Sequence, residues 1–171
     1  AALNGPTGMG MVQLMDQTEK YNVTTYQAPT DVVAKVIAGE ADVAAVPSNM
    51  AAVLYNKTEG KIVAISPITL GVLYILGNNT QMTDVADLKG KTIVASGQGG
   101  TPEYALQKIL ENAGLTLYED VQVEWLANHA DVNAKLLSEE GTIAMIPEPF
   151  VSTALSAEND AVKELFDMNR L

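Results

Sequence analysis

Residues 31–47, DVVAKVIAGEADVAAVP, align without a gap on residues 131–147, DVNAKLLSEEGTIAMIP. Seven pairs are identical: Asp31/Asp131, Val32/Val132, Ala34/Ala134, Lys35/Lys135, Glu40/Glu140, Ala44/Ala144 and Pro47/Pro147. Several other pairs exchange one branched aliphatic for another. Both stretches share the order helix, turn, strand, proline, which favours a duplicated lobe plan over chance resemblance in an alanine- and valine-rich chain.

Each copy has a physical reading. In the first, Thr30 is placed to cap a helix whose Val32, Val33, Val36 and Ile37 recur at three- and four-residue spacing. Gly39 supplies a left-handed exit, and 42–46 reads as a short strand buried on both faces. Pro47 has no N–H to continue a ladder, so the chain turns there. Ser48 then caps a helix over 49–56, with Met50, Val53 and Leu54 inward. In the second copy Leu136 and Leu137 anchor the helix, 143–146 is the strand, and Pro147-Glu148-Pro149 is the turn.

A strand, a glycine-rich turn and a helix precede each copy. The first set is 2–4, GPTGMG at 5–10 and a helix to Asp16. The second is 92–95, SGQGG at 96–100 and a helix opened by Thr101 and Pro102, with Ala105, Leu106, Ile109 and Leu110 on one face and Gly114 at its end. The expectation is an α/β chain of two lobes with parallel sheets. The apolar stretch 62–76 is broken by Pro67 and Gly71, and 72–76 reads as a strand leaving the first lobe. A turn at Gly77-Asn78-Asn79-Thr80 puts the lobes at 1–76 and 77–171. Another strand is expected at 121–126.

The bulk composition excludes some classes. With 10 basic against 21 acidic residues and a formal charge of -11, the chain lacks the basic surface that nucleic acid or anionic lipid requires. It has no cysteine, so thiolate chemistry and cysteine-ligated metals are out. No segment reaches the roughly 20 apolar residues of a membrane span. Ala1-Ala2-Leu3-Asn4-Gly5 reads as the tail of a strand, so the natural chain is expected to begin earlier.

Several elements, taken in order, resemble the type II periplasmic-binding-protein superfamily, ABC-transporter solute receptors of the alkanesulfonate, taurine and thiamine-precursor type. They are the opening strand with its GPTGMG loop, the helix leading to Gly39-Glu40-Ala41-Asp42, Asp87-Leu88-Lys89-Gly90-Lys91, residues 96–104 and residues 141–150. The resemblance implies two lobes closing on a solute by population shift, with chain crossings near 69–76 and after 167–171. The family then returns to complete the first lobe, so the expectation is a fold missing that return segment. It further implies a small-molecule ligand, a membrane permease partner, an extracytoplasmic place (periplasmic or lipid-anchored) and a monomer. Cofactors, metals and catalytic residues are not expected. An enzyme on the same plan, of the menaquinone or pyrimidine biosynthesis type, and a ligand-sensing domain stay open as alternatives.

Candidate ligand-binding residues follow from these turns. Gly5, Pro6, Thr7, Gly8 and Met9 form a loop whose glycine spacing fits neither a dinucleotide fingerprint nor a P-loop, so backbone donors at a helix start are the expected contacts. Ser96, Gly97, Gln98, Gly99, Gly100 and Thr101 form the opposing turn, offering amides and two hydroxyls to a carboxylate, sulfonate or carbonyl oxygen. Ser48, Asn49 and Glu148 sit at the equivalent edges, and Thr69 is placed for the cleft floor. Ser48 reads equally well as a helix cap, Glu148 as solvent-facing and Thr69 as plain β-structure. Trp125 and Tyr26 read as packing residues, and Met9, Met11 and Met15 as filling a core or cleft rim. His129, the only histidine, reads as a capping or surface residue; Arg170 is the only arginine. Glu19, Glu59, Glu139-Glu140 and 158–160 read as solvated faces or turns.

Overall fold

In the computed structural model, which describes residues 1–157 and 160–171, the chain divides into two units, Ala1–Leu70 and Gly71–Leu171. Glu158 and Asn159, part of the stretch read as solvated, lie outside the described residues. The first unit runs β1 (Ala2–Leu3), α1 (Pro6–Met9), α2 (Val12–Met15), β2 (Thr25–Tyr26), α3 (Pro29–Ile37) and α4 (Ser48–Lys57). β1 pairs in parallel with β2, and Ala2 also bridges in parallel to Ala45. Ala2, Met11 and Ala45 form a small core, with Leu14, Met15 and Val23 packed against it. Val32 of α3 and Leu54 of α4 are buried as expected.

Four expectations for this unit are corrected. The strand at 42–46 is a single bridge at Ala45, whose N–H donates to the Ala1 carbonyl at 2.9 Å. Without a ladder, Asp42 and Val43 stay exposed. The helix to Asp16 is two one-turn helices broken at Gly10, where an added Cβ would lie 2.9 Å from Ile68 Cδ1. Thr30 and Ser48 make no cap: α3 starts at Pro29 behind the cap position Ala28, two residues earlier than a Thr30 cap implies, and Ser48 is already helical behind Pro47. Ile37 and Val53, expected inward, are exposed.

The second unit contains β3 (Leu73–Asn78), a 3-10 turn (Val85–Leu88), β4 (Thr92–Ser96), α5 (Thr101–Asn112), β5 (Gln122–Leu126), α6 (His129–Ser138), β6 (Ile143–Pro147), α7 (Phe150–Ser156) and β7 (Val162–Asp167). Its five strands lie in the order β5-β4-β6-β3-β7. β4 is parallel to β5 and β6, whereas β3 is antiparallel to both β6 and β7. The sheet is therefore mixed, not parallel throughout. Residues 72–76 do not lead out of the first lobe; they supply β3, an inner strand of the second unit, which consequently starts at Gly71.

Side chains alternate across this sheet as the strand period demands. Ile93 and Ala95 of β4 and Met145 of β6 face α5, where they meet Leu106 and Leu110. Val94, Ala144 and Ile146 face α6 and α7, where they meet Leu136 and Val151. Burying each Leu or Ile side chain stabilises the unit by about 1.5–3 kcal/mol. The two repeat helices, α3 and α6, lie in different units; the first repeat contributes only the Ala45 bridge to β1, whereas the second contributes β6, an inner strand of the five-stranded sheet. Even their identical lysines are used differently: Lys35 pairs with Glu40 at 2.6 Å, Lys135 with Glu124 at 2.7 Å.

Candidate functional site

Strands β4, β5 and β6 run in one direction, so the residues after their last positions gather along one edge of the second unit's sheet. In sheets of this kind that edge is where ligands bind. Ser96 ends β4, and the turn 97–101 leads into α5 with Gly97 at φ 87° and Gly99 at φ 74°. Both values lie in the left-handed region that favours glycine. His129 opens α6 after β5, and Glu148 follows β6.

The turn's polar groups already have partners within the unit. Ser96, 2% exposed, places Oγ 2.5 Å from His129 Nδ1. Gly100 N–H donates to the Gly97 carbonyl at 3.0 Å. Gly99 N–H donates at 2.7 Å to a carboxylate oxygen of Glu103, in the first turn of α5. Thr101 is helical and makes no cap, because Gly100 holds the cap position in an extended conformation. Ser96 and Gly97 to Thr101 are thus gathered at one edge, but Ser96, Gly99 and Gly100 are engaged in internal bonds.

His129 corrects its reading as a cap or surface residue. The cap of α6 is Asn128, whose side chain accepts the Asp131 N–H at 2.9 Å. His129 packs its ring against Phe150, with centroids 5.8 Å apart. Burial lowers its pKa and so favours the neutral ring over the charged one. The sequence carried no periodic signal for this: Ser96 and His129 meet only because β4 and β5 are neighbours. Glu103 was missed for a related reason, since a carboxylate three residues into a helix ordinarily reads as dipole complementarity.

Glu148 accepts from Ser152 N–H at 3.1 Å and from Ser152 Oγ at 2.9 Å, and so caps α7 instead of facing solvent freely. The Glu148–Pro149 peptide bond is cis. Nearby, the Tyr74 hydroxyl is pushed up in pKa chiefly by Asp167, then by burial and Glu148. Arg170 is bound to Asp167 at 3.1 Å. Trp125 packs against the α5-side core and donates Nε1–H to the Tyr118 hydroxyl at 3.1 Å.

In the first unit, Gly5 precedes α1 at φ 89°, and Pro6, Thr7, Gly8 and Met9 form that helix. The loop follows β1, while Ser48 and Asn49 follow the chain that bridges to β1 at Ala45. Parallel pairing therefore brings both to one edge of that unit's sheet. Thr69 is exposed beside Gly10, where its Oγ1 would lie 3.4 Å from an added Cβ. Gly8 has a packing reason: its Cβ would meet the Leu3 carbonyl oxygen at 2.7 Å. Met11 is buried in the core, whereas Met9 is exposed. Among the described residues no His, Asp and Glu cluster could hold a metal ion, and no helix is long and apolar enough to cross a membrane.

A glycine-bearing turn at the strand ends of an α/β unit is where ligands bind in open sheets of this kind; comparison with known proteins gives the family. The family described as ABC transporter, phosphonate, periplasmic substrate-binding protein matches residues 13–166, and the chain belongs to it. Among solved structures, the periplasmic aliphatic sulphonate binding protein SsuA from Escherichia coli is similar with a TM-score of 0.72 at 23% identity. The match covers 99% of this chain and 56% of that one. An ABC transporter protein from Parabacteroides distasonis gives 0.71 at 23%, covering 98% and 57%. The alkanesulfonate-binding protein SsuA from Xanthomonas axonopodis pv. citri, bound to MOPS, gives 0.61 at 19%, covering 96% and 58%. The chain thus has the two-lobed periplasmic-binding-protein type II fold and spans little more than half the length of these relatives. No curated protein sequence matches it.

Proposed function

We propose that this chain is the ligand-binding part of an extracytoplasmic receptor that reversibly captures a small polar or anionic organic molecule for an ABC permease. No covalent chemistry is involved, and the receptor acts as a monomer, lipid-anchored or free in the periplasm. The observation that carries the reading is the convergence of the turn 97–101, the Ser96–His129 pair and Glu148 on one sheet edge. In the first unit, residues 5–9, Ser48, Asn49 and Thr69 are the proposed contacts. Phosphonates and sulfonates are the ligand classes to try first, because the matching family and two of the similar structures carry those names.

Calorimetric titration of the full-length protein with methylphosphonate and ethanesulfonate tests this reading, together with mass spectrometry of material released from natively purified protein. Saturable binding or a co-purifying small polar solute is the expected result. A folded protein that releases no solute and takes neither probe would overturn it. The Ser96–His129 pair invites a hydrolase reading. In the hydrolase arrangement, however, a third group orients the base. The one carboxylate near His129 in sequence, Asp131, is bonded to Asn128.

A further inference from the structure

Four residues of the second unit, Gly99, Glu103, Tyr118 and Trp125, are joined by a line of hydrogen bonds that begins at the candidate turn. Gly99 N–H donates to one carboxylate oxygen of Glu103 at 2.7 Å. The other oxygen accepts from the Tyr118 hydroxyl. That hydroxyl accepts Nε1–H of Trp125 at 3.1 Å, and the Gln98 side chain bonds it as well. Tyr118 itself is fixed: its backbone is left-handed at φ 68°, its N–H donates to the Val121 carbonyl at 2.8 Å, and its carbonyl accepts from Gln122. Trp125 sits opposite Ala95 in the β4–β5 ladder and packs into the core. One end of the line is therefore anchored to the sheet and the other ends on a glycine amide.

The physical consequence concerns the turn. Gly99 is left-handed, and nothing lies within 4 Å of where its Cβ would be, so the Glu103 carboxylate on its N–H is a direct hold on the backbone of this turn. A carboxylate accepting a backbone N–H is among the stronger hydrogen bonds, and at the start of a helix the helix dipole also favours the negative charge. We infer that Glu103 is a positioning residue for ligand capture: it locks the turn 97–101 in its bound shape and couples that turn, through Tyr118, to Trp125. This rests on the capture reading given above. Glu103 need not touch the solute. A Gln at this position can still accept from Gly99 with its carbonyl oxygen, although its amide meets a Tyr118 hydroxyl that already accepts from Trp125 and Gln98; Ala can make neither bond.

The test compares full-length wild type with Glu103→Ala, Glu103→Gln and Tyr118→Phe. Three readouts are taken: amide hydrogen exchange at Gly99, Trp125 emission, and titration with methylphosphonate and ethanesulfonate. Trp125 is the chain's only tryptophan, so its emission reports this line alone. In Glu103→Ala, exchange at Gly99 should rise about tenfold while Val94 and Met145 keep their protection. Trp125 emission should shift, and affinity for the bound probe should fall about tenfold. Glu103→Gln should bring exchange and affinity back to within about threefold. Tyr118→Phe should shift Trp125 emission and leave Gly99 exchange near wild type. Wild-type exchange at Gly99 in Glu103→Ala would overturn the lock. So would equal loss of affinity in the Ala and Gln variants, or unchanged affinity once the turn is loosened. Failure of wild type to bind either probe would overturn the capture reading instead, a result the exchange and emission measurements do not share.

Discussion

Ser96 and His129, separated by 33 positions in the chain, meet at 2.5 Å on the strand-end edge of the second unit. Burial depresses the His129 pKa below its ordinary 6.5, so the folded protein binds fewer protons there than the unfolded chain. Unfolding then takes up a proton in the window below pH 6.5, and stability rises with pH across it. The contribution is fully present above about pH 6.5 and is lost as pH falls through the folded value. Urea unfolding of wild type and His129→Gln at pH 7.5 and 5.5 checks this: wild type should lose more stability on acidification than the variant. Equal losses would show that the ring is not held neutral.

Two glycines separate packing from backbone strain. Gly8→Ala drives a Cβ to 2.7 Å from the Leu3 carbonyl oxygen, and this backbone atom cannot swing aside. A cost of about 1–3 kcal/mol is expected. Gly99→Ala meets open space but keeps a positive φ, for a cost of about 1–2 kcal/mol. The two differ most in locality. Hydrogen exchange should loosen around β1 in the first variant and around the turn 97–101 in the second.

Leu136 is fully buried between α6 and the sheet, among Leu76, Val94 and Ile146. Leu136→Ala should destabilise the second unit by about 2–5 kcal/mol, read as a lower urea midpoint with an unchanged slope. Leu137, only partly buried on the same helix, should cost less when truncated. An equal loss at both positions would contradict the face assigned to α6.

Glu148 has a structural duty separate from any ligand. Its carboxylate accepts both the backbone N–H and the hydroxyl of Ser152; Ser152→Ala keeps the first bond and loses the second, so it should cost about 1 kcal/mol of stability or less without changing solute affinity. Glu148→Gln keeps an acceptor for the cap but removes the charge. If Glu148 touches the solute, this variant should change affinity at nearly constant stability, measured by titration beside thermal unfolding.

The second unit was largely legible in the sequence because its signals were redundant. Thr101-Pro102 with Leu106, Ile109 and Leu110 specified α5, and the apolar run at 143–146 specified β6. Residues 72–76 were also recognised as a strand, but periodicity says nothing about which sheet a strand joins, and β3 went to the other unit. The first unit was harder to read. Ala45 alone pairs where a full strand was expected, since local propensity in 42–46 has no neighbouring ladder to act on. Of the candidate site, the glycine turns were legible as strand-to-helix connections, whereas Ser96–His129 and Gly99–Glu103–Tyr118 depend on contacts that only the β4–β5 pairing and the fold of the 118 loop create.

β3 and β7 are antiparallel neighbours, with Tyr74 opposite Asp167 and Met168 N–H bonded to the Leu73 carbonyl. Gly71 and Asn169 therefore lie at the same end of the same strand pair, where an added Cβ on Gly71 would strike Asn169 Oδ1. A tension applied to those two ends would open the ladder one rung after another, like a zip, because each bond is loaded in turn. Strands pulled from opposite ends would share that load in shear. Mechanically, this end of the β3–β7 pair is where such a load would start to part the sheet.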